Sequence, residues 1–302
     1  MDQATLISNV VEQVLKQIGP QLRSGAPSSP SSSSSAPGNG SASASTGSAN
    51  PAVGRFTNVD EAVEMASRAQ QQLAQAGMKV RDGICRLFKR MARENAQSWG
   101  RIEFDETQIG RLDHKVAKLE LLDSIPGVEF LQTRAHSGDD GIGLDEAAPW
   151  GVIGAITPVT HSIPTLTSNA ISMIAAGNAV VFNPHPSGAK CAAMAVEAYN
   201  RAIKTEFGID PLLCTMDPPT LRTAEEIFRH ERIPLLCVTG GPAVARAAMK
   251  QPKRAVVAGP GNPPVVVDET ADCDNAAKSI IAGAAYDNNL LCIGEKEVFV
   301  VE

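Results

Sequence analysis

The sequence predicts an α/β protein whose main body is a mostly parallel sheet with helical crossovers. Three observations predict it. The chain has 302 residues, 43 % of them hydrophobic, which is enough for a sizeable core. From Trp150 onward, short apolar runs alternate with helical stretches, the pattern of strands joined by crossover helices. Several of those runs end on Thr, Gly, Asn or Pro, residues that suit turns at strand ends. The same composition excludes other classes. With 27 basic and 33 acidic residues the formal charge is −6, which is no basic footprint for nucleic acid. No run of apolar residues is long enough for a membrane span, and the first twenty residues lack the basic start and apolar block of a secretory signal. The six cysteines (Cys85, Cys191, Cys214, Cys237, Cys273, Cys292) form no CxxC pair. Neither a disulfide framework nor a metal site is expected, and a reducing, cytoplasmic setting is.

The elements follow in chain order. Ile7, Val10, Val11, Val14, Leu15 and Ile18 recur at three- and four-residue steps and Gly19-Pro20 ends the stripe, so residues 1–20 are expected to form a short amphipathic helix. Residues 21–55 are dominated by Ser, Gly, Ala and Pro and read as a flexible linker. A helix so short and so tethered is marginal alone. Its stripe suits docking on a partner, or a contact within the same oligomer. Residues 56–150 are expected to be helical, with stripes at Val59–Leu73 and Val80–Met91 and further helix over 94–124 broken near Gly110. Leu119, Leu121 and Leu122 are core candidates there, Cys85 is a packing residue, and the Lys and Arg residues read as a solvated face.

From Trp150 the expected strands are 151–156, 179–182, 212–215, 234–239, 255–258, 264–267 and 297–301. The expected helices are 166–176, 189–203, 221–230, 242–250 and 273–286. Parallel sheets bind ligands at the carboxyl ends of their strands, so the segments after each run are the candidates: Thr157-Pro158-Val159-Thr160-His161, Asn183-Pro184-His185-Pro186, Thr239-Gly240-Gly241-Pro242 and Gly259-Pro260-Gly261-Asn262. Thr239-Gly240-Gly241 before a helix could set amides beside a phosphate, or simply make a tight turn; the GxGxxG fingerprint is absent. His185 either lines an adenosine pocket or lies on the surface. His161 is either a donor to a developing oxyanion or a satisfied polar residue. Cys292, in a segment with two Asn and a Gly, is either a nucleophile or a buried thiol.

Six motifs in this order are specific: Gly151-Val-Ile-Gly-Ala-Ile-Thr-Pro158, Ile171-Ser-Met-Ile-Ala-Ala-Gly-Asn178, Val181-Phe-Asn-Pro-His-Pro186, Val238-Thr-Gly-Gly241, Gly259-Pro-Gly-Asn-Pro-Pro264 and the Cys292 segment about thirty residues later. From about Phe56 onward the chain resembles the aldehyde dehydrogenase superfamily, and within it the CoA-acylating branch of bacterial microcompartments. The resemblance implies a Rossmann-type NAD-binding region over 151–272 and the beginning of an α/β catalytic domain over 273–302, the remainder of that domain being absent from the chain. The chain is accordingly expected to be part of a longer protein and inactive alone. It further implies that Cys292 attacks a short-chain aldehyde, of the propanal or acetaldehyde type, and carries a thioester once hydride has left. Thr157 and Pro158 would stand on the nicotinamide side, Pro184 and His185 on the adenosine side, and Thr239, Gly240 and Gly241 near the pyrophosphate, with Gly259 and Gly261 also in the cofactor set.

Three departures from the family pattern refine this. A lysine usual after the second strand is replaced by Pro184-His185-Pro186, which leaves NADP an alternative to the favoured NAD. Where hydrolytic relatives carry a glutamate base, this chain has Ala258. A methyl cannot activate water, so CoA would take the acyl group. His161 stands where acylating relatives have an Asn, and Thr160 matches the catalytic Asn of hydrolytic ones. Either His161 or the Cys292 amide is then the oxyanion donor. The resemblance also implies that residues 1–20 target a microcompartment shell or core protein, which places the enzyme in the compartment lumen, and that the whole protein is a homo-oligomer. The competing readings are a non-acylating dehydrogenase releasing free acid and a non-catalytic scaffold.

Overall fold

The computed structural model describes residues 50–301, so the expected helix of residues 1–20 and most of the expected linker lie outside the described residues. The final residues assigned to that linker are ordered. Pro51–Val53 makes a 3-10 turn, and strand β1 (Arg55–Phe56) pairs with the sheet. Asn200 holds this edge in place, its amide donating to Val53 O at 3.0 Å and Leu213 O at 2.7 Å.

Helix α1 (Val59–Glu94) follows, capped by the Asn58 side chain on the Glu61 amide and broken at Gly77, whose φ of 78° lies outside the helical region. The two expected stripes are the two sides of that break, and Ala62, Val63, Ala66, Leu73, Ile84, Leu87 and Phe88 are all buried. Helices α2 (Ala96–Thr107) and α3 (Leu112–Glu120) lead into a 3-10 turn. Leu119 and Leu122 are in the core, whereas Leu121 is exposed because it faces away at the start of that turn. The helical reading of 56–150 also misses an antiparallel hairpin, β2 (Arg134–Gly138) with β3 (Gly141–Asp145). Its residues are exposed on both faces, so it lacks the alternation that marks a half-buried strand.

Strand β4 (Val152–Thr157), helix α4 (Ser162–Ala175), β5 (Ala179–Pro184), α5 (Ala189–Phe207) and β6 (Leu213–Met216) wind in one direction. The chain returns through α6 (Leu221–Arg229) to β7 (Leu235–Thr239), then through α7 (Pro242–Met249) to β8 (Arg254–Ala258). The six strands stand in the order β1-β6-β5-β4-β7-β8, and every pairing is parallel. Strand order therefore reverses between β4 and β7, the place where such sheets open a crevice at their carboxyl ends.

The core is densest around β4–β6, whose residues are all buried. Tyr199 on α5 joins the layers: its ring meets Phe88 and Trp99 edge-on at 4.6 and 5.3 Å, and its hydroxyl is 3.0 Å from Thr167 Oγ1. Each large side chain buried this way contributes about 1.5–3 kcal/mol. Cys85 packs here as expected, with burial pushing its thiol up to about 12. Beyond β8 come β9 (Pro264–Val267), α8 (Cys273–Ala284), a 3-10 turn (Tyr286–Asn289) and β10 (Glu297–Val300), which pairs in parallel with β9. Among the described residues no helix is long and apolar enough to cross a membrane.

Candidate active site

A cleft of about 400 Å³ opens at the reversal point. Pro158, Thr160 and His161 reach it after β4, His185 after β5, Thr239, Gly240 and Gly241 after β7, and Ala258, Gly259 and Gly261 after β8, with Cys292 facing them all. Of the residues given a catalytic or cofactor role from the resemblance, only Thr157 and Pro184 do not line it. They are the last residues of β4 and β5 and are buried beneath. The Thr157 hydroxyl has no hydrogen-bond partner there. A larger open groove, about 1040 Å³, runs along α6 beside the start of α1, but exposed ions such as Arg222 and Glu225 line it, and no thiol is among its described lining residues.

Among the described residues, none that lines the cleft carries a carboxylate. Its one ammonium among the described residues, Lys296, is occupied by the Cys292 segment, donating to Asn289 Oδ1 (2.5 Å), Leu291 O (3.0 Å) and Gly294 O (3.2 Å). Gly261 packs so closely on the Cys292 carbonyl that a methyl there would overlap it. Cys292 is half-buried. Neither Lys296 nor the Leu290-Leu291 wall was apparent from sequence.

Helix N-termini present unpaired amides and partial positive charge, and so attract anions. Among the described residues five helices follow strands of the central sheet, and four are already capped. Asn58 caps α1 and Thr220 caps α6. Glu103 caps α4, accepting from the Ser162 and Ile163 amides at 3.1 and 3.0 Å. Glu106 caps α5, accepting from Lys190 and Cys191 amides at 2.9 and 2.6 Å. These two carboxylates sit three residues apart on α2, hence on one face. Only α7, entered through Gly240-Gly241, has no side-chain cap, and it lines the cleft. A β-carbon on Gly241 would meet nothing within 4 Å, so an anion has room there. The residues present fit a dinucleotide pyrophosphate.

Under the cleft lies a charged network where the sequence was read as a solvated face. Lys115 and Glu103 are buried and 2.8 Å apart; Lys118 and Asp287 are buried and 2.6 Å apart. Both ammonium groups also donate to the Thr160 carbonyl, at 3.1 and 3.3 Å. The helical stripe of α3 marks one face as apolar, but it cannot show that two lysines on that helix find buried carboxylates 12 and 169 residues away. Burial lowers the Lys118 pKa, against the pull of Asp287. For Asp287 burial acts upward, but the Lys118 hydrogen bond and the Arg111 amide prevail and hold it below the usual carboxylate range. His161 is pushed down to about 4, first by burial and then by the Lys118 and Lys115 charges. Its imidazole is therefore neutral at neutral pH, with Nδ1 2.8 Å from Thr160 Oγ1. The turn before the thiol is strained: Asp287, Asn288 and Asn289 have φ of 49°, 57° and 59°, a conformation that costs about 1 kcal/mol or more per residue and collects at functional sites.

The aldehyde dehydrogenase family model matches residues 34–302. The chain belongs to the aldehyde dehydrogenase family. It is 44 % identical over 251 residues to the acetaldehyde dehydrogenase (acetylating) of Bilophila wadsworthia, an alignment covering 82 % of this chain and 51 % of that one. A propionaldehyde dehydrogenase from the Clostridium phytofermentans fucose utilisation bacterial microcompartment superposes with a TM-score of 0.79 at 42 % identity, covering 82 % of this chain and 57 % of that structure. The Rhodopseudomonas palustris propionaldehyde dehydrogenase with bound CoA and an acylated cysteine does so with a TM-score of 0.79 at 39 % identity, with the same coverage of 82 and 57 %. The chain thus spans about half the length of the curated relatives it matches.

Proposed function

We propose that this chain carries the cofactor cleft and nucleophile of a CoA-acylating aldehyde dehydrogenase that oxidises a short-chain aldehyde to its acyl-CoA. The observation that carries this reading is a thiol facing a cleft that, among the described residues, is lined by no carboxylate. Cys292 adds as thiolate to the aldehyde carbon, giving a thiohemiacetal. A bound nicotinamide dinucleotide supplies the hydride acceptor. Loss of hydride leaves a thioester on Cys292. Hydrolysis needs a base to activate water, and general bases are worth about 10² to 10⁴ in rate. With Ala258 and Gly259 at the end of β8 the thioester persists until the CoA thiol attacks its carbonyl, releasing acyl-CoA and freeing Cys292.

His161 is the oxyanion donor in this reading. Its imidazole is neutral, with Nδ1 2.8 Å from the Thr160 hydroxyl; the role requires the tautomer in which that hydroxyl donates to Nδ1 and the proton sits on Nε2. The dinucleotide pyrophosphate rests on the Gly240-Gly241 turn at α7. NAD is favoured over NADP because the only cationic side chain lining the cleft among the described residues, Lys296, is taken by three loop acceptors. A 2′-phosphate would want a cation of its own. Residues 1–20 are proposed to direct the protein into a microcompartment lumen within the cytoplasm, and the whole enzyme to be a homo-oligomer.

The test is the intact protein with propanal and NAD, with and without CoA, the product identified by mass. Propanoyl-CoA formed with NADH, and lost in Cys292→Ala, supports the reading. Sustained propanoate formation without CoA contradicts it and points to a non-acylating dehydrogenase. NAD binding without any turnover points to a scaffold.

A further inference from the structure

We propose that Lys118 and Asp287 are positioning residues for Cys292: their buried ion pair ties the turn carrying the thiol to the Thr160 carbonyl, and so sets the thiol against His161. The proposal rests on Cys292 being the nucleophile. Neither residue lines the cleft, so neither touches substrate.

Four observations carry it. First, Asp287 is the only fully buried side chain among the described residues after Ala248. The segment bearing the thiol is therefore anchored to the helical lobe through a buried carboxylate, beside the partly buried Tyr286 ring that stacks on His114 at 4.1 Å. Second, every polar group of Asp287 is used. Its Oδ2 accepts from Lys118 Nζ, its Oδ1 from the Arg111 amide at 2.8 Å, and its own amide donates to His114 Nδ1 at 2.7 Å. A methyl on Gly110 would overlap Oδ1, so the approach is close enough to require glycine. Third, Asp287 opens the left-handed run that ends three residues before Cys292. A turn in that conformation keeps its shape only where its surroundings over-determine it. Fourth, the same Lys118 ammonium holds the Thr160 carbonyl, one bond from His161. A single charged group thus bridges the two loops whose spacing decides whether the thiohemiacetal oxygen meets its donor.

Lys115 shares the Thr160 carbonyl, donating to it at 3.1 Å, but makes no hydrogen bond to Asp287. Its partner Glu103 caps α4, so that pair fixes the helix after β4 and leaves the nucleophile turn alone. Misplacing a reacting group by about 1 Å costs on the order of 10²-fold.

The experiment uses the intact enzyme, with turnover expressed per Cys292 thiol that iodoacetamide can alkylate. Loss of folded protein then does not masquerade as lost catalysis. Lys118→Met removes the bridge. Asp287→Asn keeps the shape and the acceptor for the Arg111 amide, and remains measurable if Lys118→Met fails to fold. The expected result is that each lowers kcat per reactive thiol by roughly 10- to 100-fold with the NAD KM within about twofold. The double variant should fall no further than Lys118→Met alone, because both act through one interaction. A kcat per reactive thiol within about twofold of the parent in Asp287→Asn overturns the proposal and leaves the pair a packing feature. Turnover surviving in Cys292→Ala overturns the nucleophile reading beneath it, and the proposal with it.

Discussion

The half of the sheet made by β4, β5 and β6 and the half made by β7 and β8 share direction and connectivity but not surroundings. In the first, every strand residue is buried and the following helices α4 and α5 have their amides taken by Glu103 and Glu106. In the second, burial alternates along β7, no residue of β8 is buried, and α7 begins without a cap. The protein has spent its carboxylates closing two anion sites and has left one open, on the side where the thiol stands. A parallel sheet thus offers several equivalent helix N-termini, and which one serves a ligand is decided by what already occupies the others.

That contrast can be broken in order of expected effect. Ala258→Glu places a carboxylate in the half that lacks one. It should raise CoA-independent release of free acid by about 10² to 10⁴, read as acid formed per NADH; an unchanged ratio would mean that the missing base is not what protects the thioester. Glu103→Ala strips the closed half, leaving Lys115 buried without its partner and α4 without its cap. A loss of about 3–5 kcal/mol is expected in urea unfolding; a loss below 1 kcal/mol would show that water replaces the carboxylate.

Glu106→Ala tests the milder cap on the rim of the same half. Removing it should cost about 1 kcal/mol and leave the NAD Kd unchanged, and a weakened NAD Kd would argue that α5 also faces the ligand.

The smallest effect concerns pH. His161 is held at about 4 against an ordinary value of 6.5, so folding disfavours its charged form. Its contribution to stability is complete above about pH 6.5 and is lost as pH falls through about 4. His161→Gln should therefore flatten the decline in urea midpoint between about pH 7 and 4.5; a parallel decline would place the acid sensitivity elsewhere.

The apolar half of this molecule was legible in the sequence and the charged network was not. Runs such as 179–182 and 212–215 announce themselves because burial imposes a pattern on consecutive residues. The strand-end segments carrying His161, Gly240 and Gly261 followed from the rule that parallel sheets expose their carboxyl ends. The structure gathers those segments around Cys292 in one cleft. Lys115, Lys118, Glu103 and Asp287 leave no such trace. A lysine on an amphipathic helix looks solvated until a carboxylate arrives from another element, and Asp287 comes from 169 residues away. The hairpin Arg134–Gly138/Gly141–Asp145 escaped for the opposite reason, having no buried face to impose alternation.

The central claim is that Cys292 holds its acyl group until CoA removes it, and intact-mass spectrometry of the whole protein tests this most directly. Mixed with propanal and NAD but no CoA, the protein is predicted to gain one propanoyl group, mapped by peptide mass to Cys292, and to lose it as propanoyl-CoA when CoA is added. Free propanoate accumulating in step with NADH, with no adduct on Cys292, would contradict the account.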